Sequence, residues 1–222
     1  SFNTATGAIT GTPTAIQTAT TYSITATNTG GSTTATLSIT VNDIAPSALT
    51  YTGSPFTFTY GTAITAIAAP TNAGGTVTAY AVSPGLPAGL TLNTITGEIT
   101  GTPTAIASAA TYTVTASNTG GSATSSITIT VVKANSTITA TGAISYSYTG
   151  APQGPSTATV VGSTGAVTYV YTGTGATTYG PSATAPTGVG SYEVVATVAA
   201  DANYNGASSV ALAFVISNST PA

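Results

Sequence analysis

Forty residues of this chain recur, without a gap, ninety positions later. Residues 2–41 read FNTATGAITGTPTAIQTATTYSITATNTGGSTTATLSITV, and residues 92–131 read LNTITGEITGTPTAIASAATYTVTASNTGGSATSSITITV. Of the 40 pairs, 26 are identical. Most others are conservative, such as Ile24 with Val114, Leu37 with Ile127 and Phe2 with Leu92. A period of 90 is too long for a solenoid, whose repeats run to about 20–50 residues. It suits one small β-sandwich of roughly 100 residues.

The repeat also sets boundaries. The second copy closes a unit that opens near Ala45, whereas the first copy begins at the same internal point with Ser1. The expected division is therefore the C-terminal part of a unit at 1–43, a complete unit at 44–132, and a third β-sandwich at 133–218. A short linker at 219–222 completes it. On this reading the 222 residues are an excerpt of a longer chain. Residues 1–42 should hold four short strands. Half a sandwich exposes its inner face and its edges, which is unstable alone. Its missing strands would come from further residues of the chain or from another chain by strand complementation.

The expected fold class is all-β, with tandem sandwiches end to end. Thr accounts for 53 residues, and Thr and Val are stiff at Cβ and fit a pleated strand better than a helix. The only sustained apolar period is two. Tyr22, Ile24 and Ala26 share a face, as do Leu37, Ile39 and Val41. Tyr112, Val114 and Ala116 repeat the pattern, followed by Ile127, Ile129 and Val131. Asn28-Thr29-Gly30-Gly31 and Asn118-Thr119-Gly120-Gly121 fall between these runs and read as hairpin turns. Phe56, Phe58 and Tyr60 predict one face of an early strand, and the short strand after each Thr-Gly turn exits at Pro13 or Pro103. The third segment does not align with the repeat. Its expected strands are Ile138–Thr141, Ile144–Tyr148, Val167–Tyr171, Tyr192–Val198 and Val210–Ile216. The links near Asp43–Ala45 and Val132–Ala134 are very short, which predicts a rod with limited bending.

Charge narrows the function classes. The only charged side chains are Asp43, Glu98, Lys133, Glu193 and Asp201, or 2% of the chain against about 25% in ordinary domains. One Lys cannot build a phosphate-binding surface, so no nucleic-acid partner is expected, and an anionic membrane surface is disfavoured for the same reason. No apolar run approaches the ~18–20 residues of a membrane span, so no membrane insertion is expected. No signal peptide opens the chain. With no Cys, disulfides contribute nothing. The hydroxyl-rich, nearly neutral surface fits a secreted protein.

The run Ser83-Pro84-Gly85-Leu86-Pro87-Ala88-Gly89-Leu90-Thr91-Leu92, followed by Thr96-Gly97-Glu98-Ile99-Thr100-Gly101-Thr102-Pro103, resembles the putative-Ig (He_PIG-like) repeats of bacterial surface proteins. The second unit matches nearly the whole signature and the first its C-terminal half. The third segment resembles an MBG-like domain through Tyr146–Gln153, Pro186–Tyr192 and Ala200–Asn205. Together these resemblances imply the stalk of a giant cell-surface adhesin of the kind found in Bacteroidota, of gliding-motility type and secreted by the type IX route. They place it outside the cell, at a bacterial surface.

No enzyme is expected. Without His or Cys, the common bases, thiol nucleophiles and transition-metal ligands are missing. Catalytic, cofactor-binding and metal residues are accordingly none, and the cofactors none. Glu193 and Asp201 share a segment and read as solvated strand and loop charges, not as a hydrolase pair. Asp201, Asn203 and Asn205 have an alternating oxygen spacing that suits either calcium or an ordinary Asx-rich turn. Lys133 and Asn218 are nominal partners for an isopeptide bond, with Glu193 as the assisting acid. The pairs Tyr146/Tyr148 and Tyr169/Tyr171 form either core or a carbohydrate-stacking platform.

Three functions fit: a spacer in a cell-surface adhesin, a subunit of a self-assembling extracellular filament that exchanges β-strands, and a glycan-binding module. The implied partners are neighbouring domains of the same longer chain, secretion machinery or copies of itself, and surface glycans. The filament reading rests on edges. Soluble β-proteins guard theirs with Lys, Pro or inward charges, and this chain has one Lys.

Overall fold

Alternating Thr and apolar residues give seventeen strands and no helix across the described residues, 1–218, of this computed structural model. The expected linker at 219–222 lies outside the described residues. β1 (Gln17–Asn28) and β2 (Gly31–Val41) form one long antiparallel hairpin. Residues 1–16 contribute a single bridge, Phe2 to Ile9. The four short strands expected of residues 1–42 are thus two long strands and one rung. Continuous β-branched alternation carries each long strand through its 11 or 12 residues without a break.

The 44–132 unit holds β3 (Phe56–Thr59), β4 (Ala79–Ser83), β5 (Leu90–Leu92), β6 (Ile99–Gly101), β7 (Ala107–Asn118) and β8 (Gly121–Val132). β7 and β8 repeat the β1–β2 hairpin, including a register shift near its open end, between Ala107 and Ala110 and between Gln17 and Thr20. The sheet order is β3-β8-β7-β4, with β3 parallel to β8 and β4 antiparallel to β7. β5 pairs with β6, and Ile99 bridges Ile67. The core forms between these layers from Leu49, Tyr51, Ile67, Tyr80, Leu90, Ile99, Tyr112, Val114, Ile127 and Ile129. Tyr51 donates from its hydroxyl to the Gly97 carbonyl at 2.6 Å, which satisfies a polar group inside the core. The rings of Phe56 and Phe58 stack 6.1 Å apart; β3 ends at Thr59, and the Tyr60 amide still donates to the Val132 carbonyl of β8 at 2.9 Å.

The remaining strands are β9 (Ala134–Asn135), β10 (Thr137–Thr141), β11 (Ser145–Ser147), β12 (Thr157–Val161), β13 (Val167–Gly173), β14 (Gly190–Val198), β15 (Tyr204–Asn205), β16 (Ala207–Ser208) and β17 (Leu212–Ser217). The main sheet runs β11-β17-β14-β13, with β16 beside β14 and β11 parallel to β17. The pair β10–β12 packs Ile138 and Ala140 into the core against Tyr192, Val194, Ala196 and Phe214. β12 was not legible in the sequence. The last strand starts at Leu212 and not at Val210, whose side chain is 85% exposed. An Ala-rich approach with little to bury there gives no purchase for pairing.

Candidate functional site

The first place where side chains converge is the junction leading into the 44–132 unit. The Asn118–Gly121 turn lies at the tip of the β7–β8 hairpin and receives the chain arriving from β2. Asn118 donates from Nδ2 to the Ile44 carbonyl at 2.7 Å and to the Thr76 carbonyl at 3.1 Å. Thr119 donates from Oγ1 to Asp43 Oδ2 at 2.8 Å, and Asp43 Oδ1 accepts the Ile44 amide at 2.9 Å. The Asn118 carboxamide oxygen accepts the amides of Gly120 and Gly121, so the same side chain shapes the turn and holds the linker. A Cβ at Gly120 would lie 2.6 Å from the Asp43 carbonyl oxygen. Close approach of two backbones explains this glycine.

The second convergence is the junction leading into the 133–218 part. One residue, Lys133, separates β8 from β9, and β9 pairs with β15. The Ala134 amide donates to the Asn203 carbonyl at 3.0 Å, and Asn205 Nδ2 donates to Asn135 Oδ1 at 2.8 Å. Lys133 Nζ donates to the main-chain carbonyl of Asp201. The Asp201 carboxylate organises that loop. Its Oδ1 accepts the Asn203 and Tyr204 amides, each at 2.8 Å, and its Oδ2 accepts the Thr164 amide at 2.8 Å and hydroxyl at 3.2 Å. These bonds, the Thr164 amide foremost, hold its carboxyl far below the usual carboxylate range. Tyr60 meets Tyr204 edge-on across this junction, with centroids 5.5 Å apart. Three of the five charged residues, Asp43, Lys133 and Asp201, therefore stand where one unit passes into the next.

The same geometry places the other candidates. Four donors fill the lone-pair positions of Asp201 and Asn205 is engaged with Asn135, which makes this an Asx-type loop. No group of three or more His, Cys, Asp or Glu gathers among the described residues. Lys133 sits near Asp201, beyond the Val198 end of β14, whereas Asn218 follows Ser217 at the Gly190 end. The length of β14 separates them by about 26 Å, too far for a covalent bond. Glu193 lies within β14, opposite Thr172 and Ala213, and is not brought to Asp201. Tyr146, Tyr171 and Tyr192 pack around Phe214 at centroid distances of 5.9, 6.1 and 5.4 Å. Tyr171 is buried and donates to the Pro155 carbonyl at 2.8 Å. Burial raises the phenol pKa of Tyr146 and Tyr171, with neighbouring tyrosines adding to it at Tyr171. Tyr169 packs against the same core, and Tyr148 is half exposed. Three of these four tyrosines are core, and no aromatic platform is assembled from the two pairs.

The third feature is an open face. Tyr22 is 41% exposed where its counterpart Tyr112 is 6%, and Leu37 is 36% exposed where Ile127 is 1%. Phe2, Ile9, Tyr22, Ile24 and Ile39 line a mostly apolar depression of about 370 Å³. The sequence signalled this face through the repeat alone, because the alternation is the same in both copies.

A family model described as Putative Ig domain matches residues 1–42 and 44–132. No curated protein matches the chain. Among solved structures, the titin I-band fragment I67–I69 is 12% identical, with 91% of this chain and 75% of that one covered and a TM-score of 0.38. Titin domains Z1Z2 in complex with telethonin are 18% identical, with 78% and 98% covered and a TM-score of 0.41. Human protocadherin-24 EC1-2 is 11% identical, with 80% and 99% covered and a TM-score of 0.36.

Proposed function

The chain belongs to the Putative Ig domain family, and from that premise we propose that it is a non-enzymatic spacer segment of a secreted, bacterial cell-surface adhesin. Its work lies in length and stiffness. The observation that carries this reading is the fastening of each linker to the unit that follows it. Asp43 and Ile44 are held by Asn118 and Thr119, and Lys133–Asn135 are held by the Asp201 loop. A linker absorbed into strands and side-chain bonds does not behave as a flexible coil. The nearly uncharged surface adds no long-range field to steer a charged partner. The MBG-like character of residues 133–218, the gliding-motility type and the type IX route belong to the same proposal and rest on the quoted residues. Neighbouring domains of the longer chain are its first partners.

Electron microscopy of the native protein tests the reading. A spacer gives thin, unbranched beaded chains, one per molecule. A helical array with chain-to-chain contacts overturns it and favours the filament reading, to which the scarcity of charge along the strand edges points. Specific binding of a glycan to the 133–218 part would favour the glycan-binding reading, for which the tyrosine positions offer little.

A further inference from the structure

A groove opens beside each passage from one unit to the next, and the two grooves are built alike. Residues 16–18 and 40–43 line the first. Their counterparts ninety positions on, 106–108 and 130–133, line the second, which holds about 520 Å³. The shared cause is the register shift at the open end of each hairpin. It takes Ser108 out of the β7–β8 ladder, and a bulge of this kind re-aims side chains away from the regular pleat. One position changes character. The first groove carries Asp43 where the second carries Lys133, the only cationic side chain in the sequence.

Asn135 and Asn205 complete the second groove from the 133–218 part, so both units contribute to it. Its polar groups are held in place by the protein itself. Asn205 Nδ2 donates to Asn135 Oδ1 at 2.8 Å, which leaves the Asn135 carboxamide nitrogen as a donor and the Asn205 carboxamide oxygen as an acceptor. Lys133 Nζ gives one of its three hydrogens to the Asp201 main-chain carbonyl and keeps two. The Asp201 carboxylate is taken up by the Thr164, Asn203 and Tyr204 amides and the Thr164 hydroxyl. The ammonium is thus anchored by a neutral oxygen, and its charge stays available to a ligand. Ile106 and Val132, 38% and 41% exposed, supply an apolar strip. Ligand sites favour such places between units and span roughly 300–1,000 Å³, with a few fixed polar groups over apolar surface.

We propose that this groove binds an acidic saccharide, a short run of uronic acid residues. The carboxylate sits on Lys133, ring hydroxyls on Asn135 and Asn205, and the C–H face of a ring over Ile106 and Val132. Each sugar hydroxyl is both donor and acceptor, which matches the carboxamide pair. The cation selects the acidic sugar over a neutral one. At the first groove Asp43 repels the same ligand, so the chain takes it at one junction of the two. The site adds a ligand to the spacer and leaves its length and stiffness as they are.

The test titrates trigalacturonate into the full 222-residue chain and follows amide and carboxamide resonances by NMR. Expected are saturable shifts at the Asn135 and Asn205 carboxamides and the Ser108 amide. A neutral galactose trisaccharide should bind about tenfold or more weakly, and Lys133→Gln should weaken the acidic ligand by a similar factor while Lys133→Arg stays within about threefold. Ser108→Glu puts a carboxylate on the groove wall without touching the Lys133 contact and should also weaken binding. Where Lys133→Gln speeds exchange at the Ala134 amide, the junction itself has loosened and Ser108→Glu decides. Absence of saturable shifts at these groups overturns the proposal. So does equal affinity for the neutral trisaccharide, or binding indifferent to Ser108→Glu. A triglutamate peptide that binds as tightly at the same groups overturns it as well, because the groove then selects a carboxylate and not a sugar.

Discussion

Replacing Ile129 by Ala should cost several times what the same change costs at Ile39, although the two residues occupy the same position of the repeat. Ile129 is fully buried between the sheet and the segment over it. Removing three carbons forfeits about 2.4 kcal/mol of transfer free energy at ~0.8 kcal/mol per methylene. The enclosed site cannot collapse fully, and the residual cavity raises the loss to about 4 kcal/mol. Ile39 is half-buried on an open face. No cavity closes around it, and only part of its surface leaves water, so the loss there is about 1 kcal/mol or less. For a unit of this size the first change lowers the melting temperature of the 44–132 unit by about 20 °C, and the second shifts melting by a few degrees at most. Calorimetry reads the transition, and native-state exchange at the Val114 amide assigns it to that unit. Equal losses at the two positions would refute the burial asymmetry that defines the open face.

Three further outcomes follow from single contacts. Tyr51→Phe removes the donor to the buried Gly97 carbonyl and should destabilise the 44–132 unit by about 1–2 kcal/mol in urea denaturation. Alkaline titration should reveal tyrosines that ionise late. Burial, with Tyr80 beside it, pushes Tyr51 well above the usual phenol value, and burial raises Tyr171 too. A raised folded-state pKa contributes stability that is present below about pH 10 and is lost as pH rises toward the folded value, so absorbance at phenolate wavelengths should lag and then rise with unfolding. At the other end of the scale, Asp201 is depressed by the amides it accepts. Its contribution is present above about pH 4 and is lost as pH falls through its folded value, so exchange at the Thr164, Asn203 and Tyr204 amides should accelerate only in strong acid. Asp201→Asn turns an amide donor toward the Thr164 amide and should accelerate Thr164 exchange at neutral pH.

Strand faces and turns were legible wherever local chemistry decides them. Tyr112, Val114 and Ala116 alternate with polar residues, and Asn118-Thr119-Gly120-Gly121 turns the chain, because period two and positive φ are properties of short segments. Partners were not. The parallel pairing of β3 with β8, like the pairing of β9 with β15, brings together residues about 70 apart in sequence. β12 was missed because Thr157–Val161 carries only Ala158 and Val160 toward the core. At the junctions between units, the residues offered Asp201 as an Asx-rich turn, which it is, but gave no sign that Lys133 and Tyr60 converge on that loop. The grip of Asn118 and Thr119 on the linker was hidden behind their evident role in the turn.

The fastening of successive units can be measured as a distance. The chain has no Cys, so pairs of introduced cysteines carry spin labels at chosen sites only. Thr36→Cys with Thr57→Cys spans the first junction, and Thr57→Cys with Thr168→Cys spans the second, all three side chains being exposed on strands. Pulsed dipolar spectroscopy should give one narrow distance distribution for each pair, set by the label's own rotamers. Thr119→Ala should broaden the first and Asp201→Ala the second. Broad distributions in the unmodified background, unchanged by either substitution, would contradict a stiff spacer.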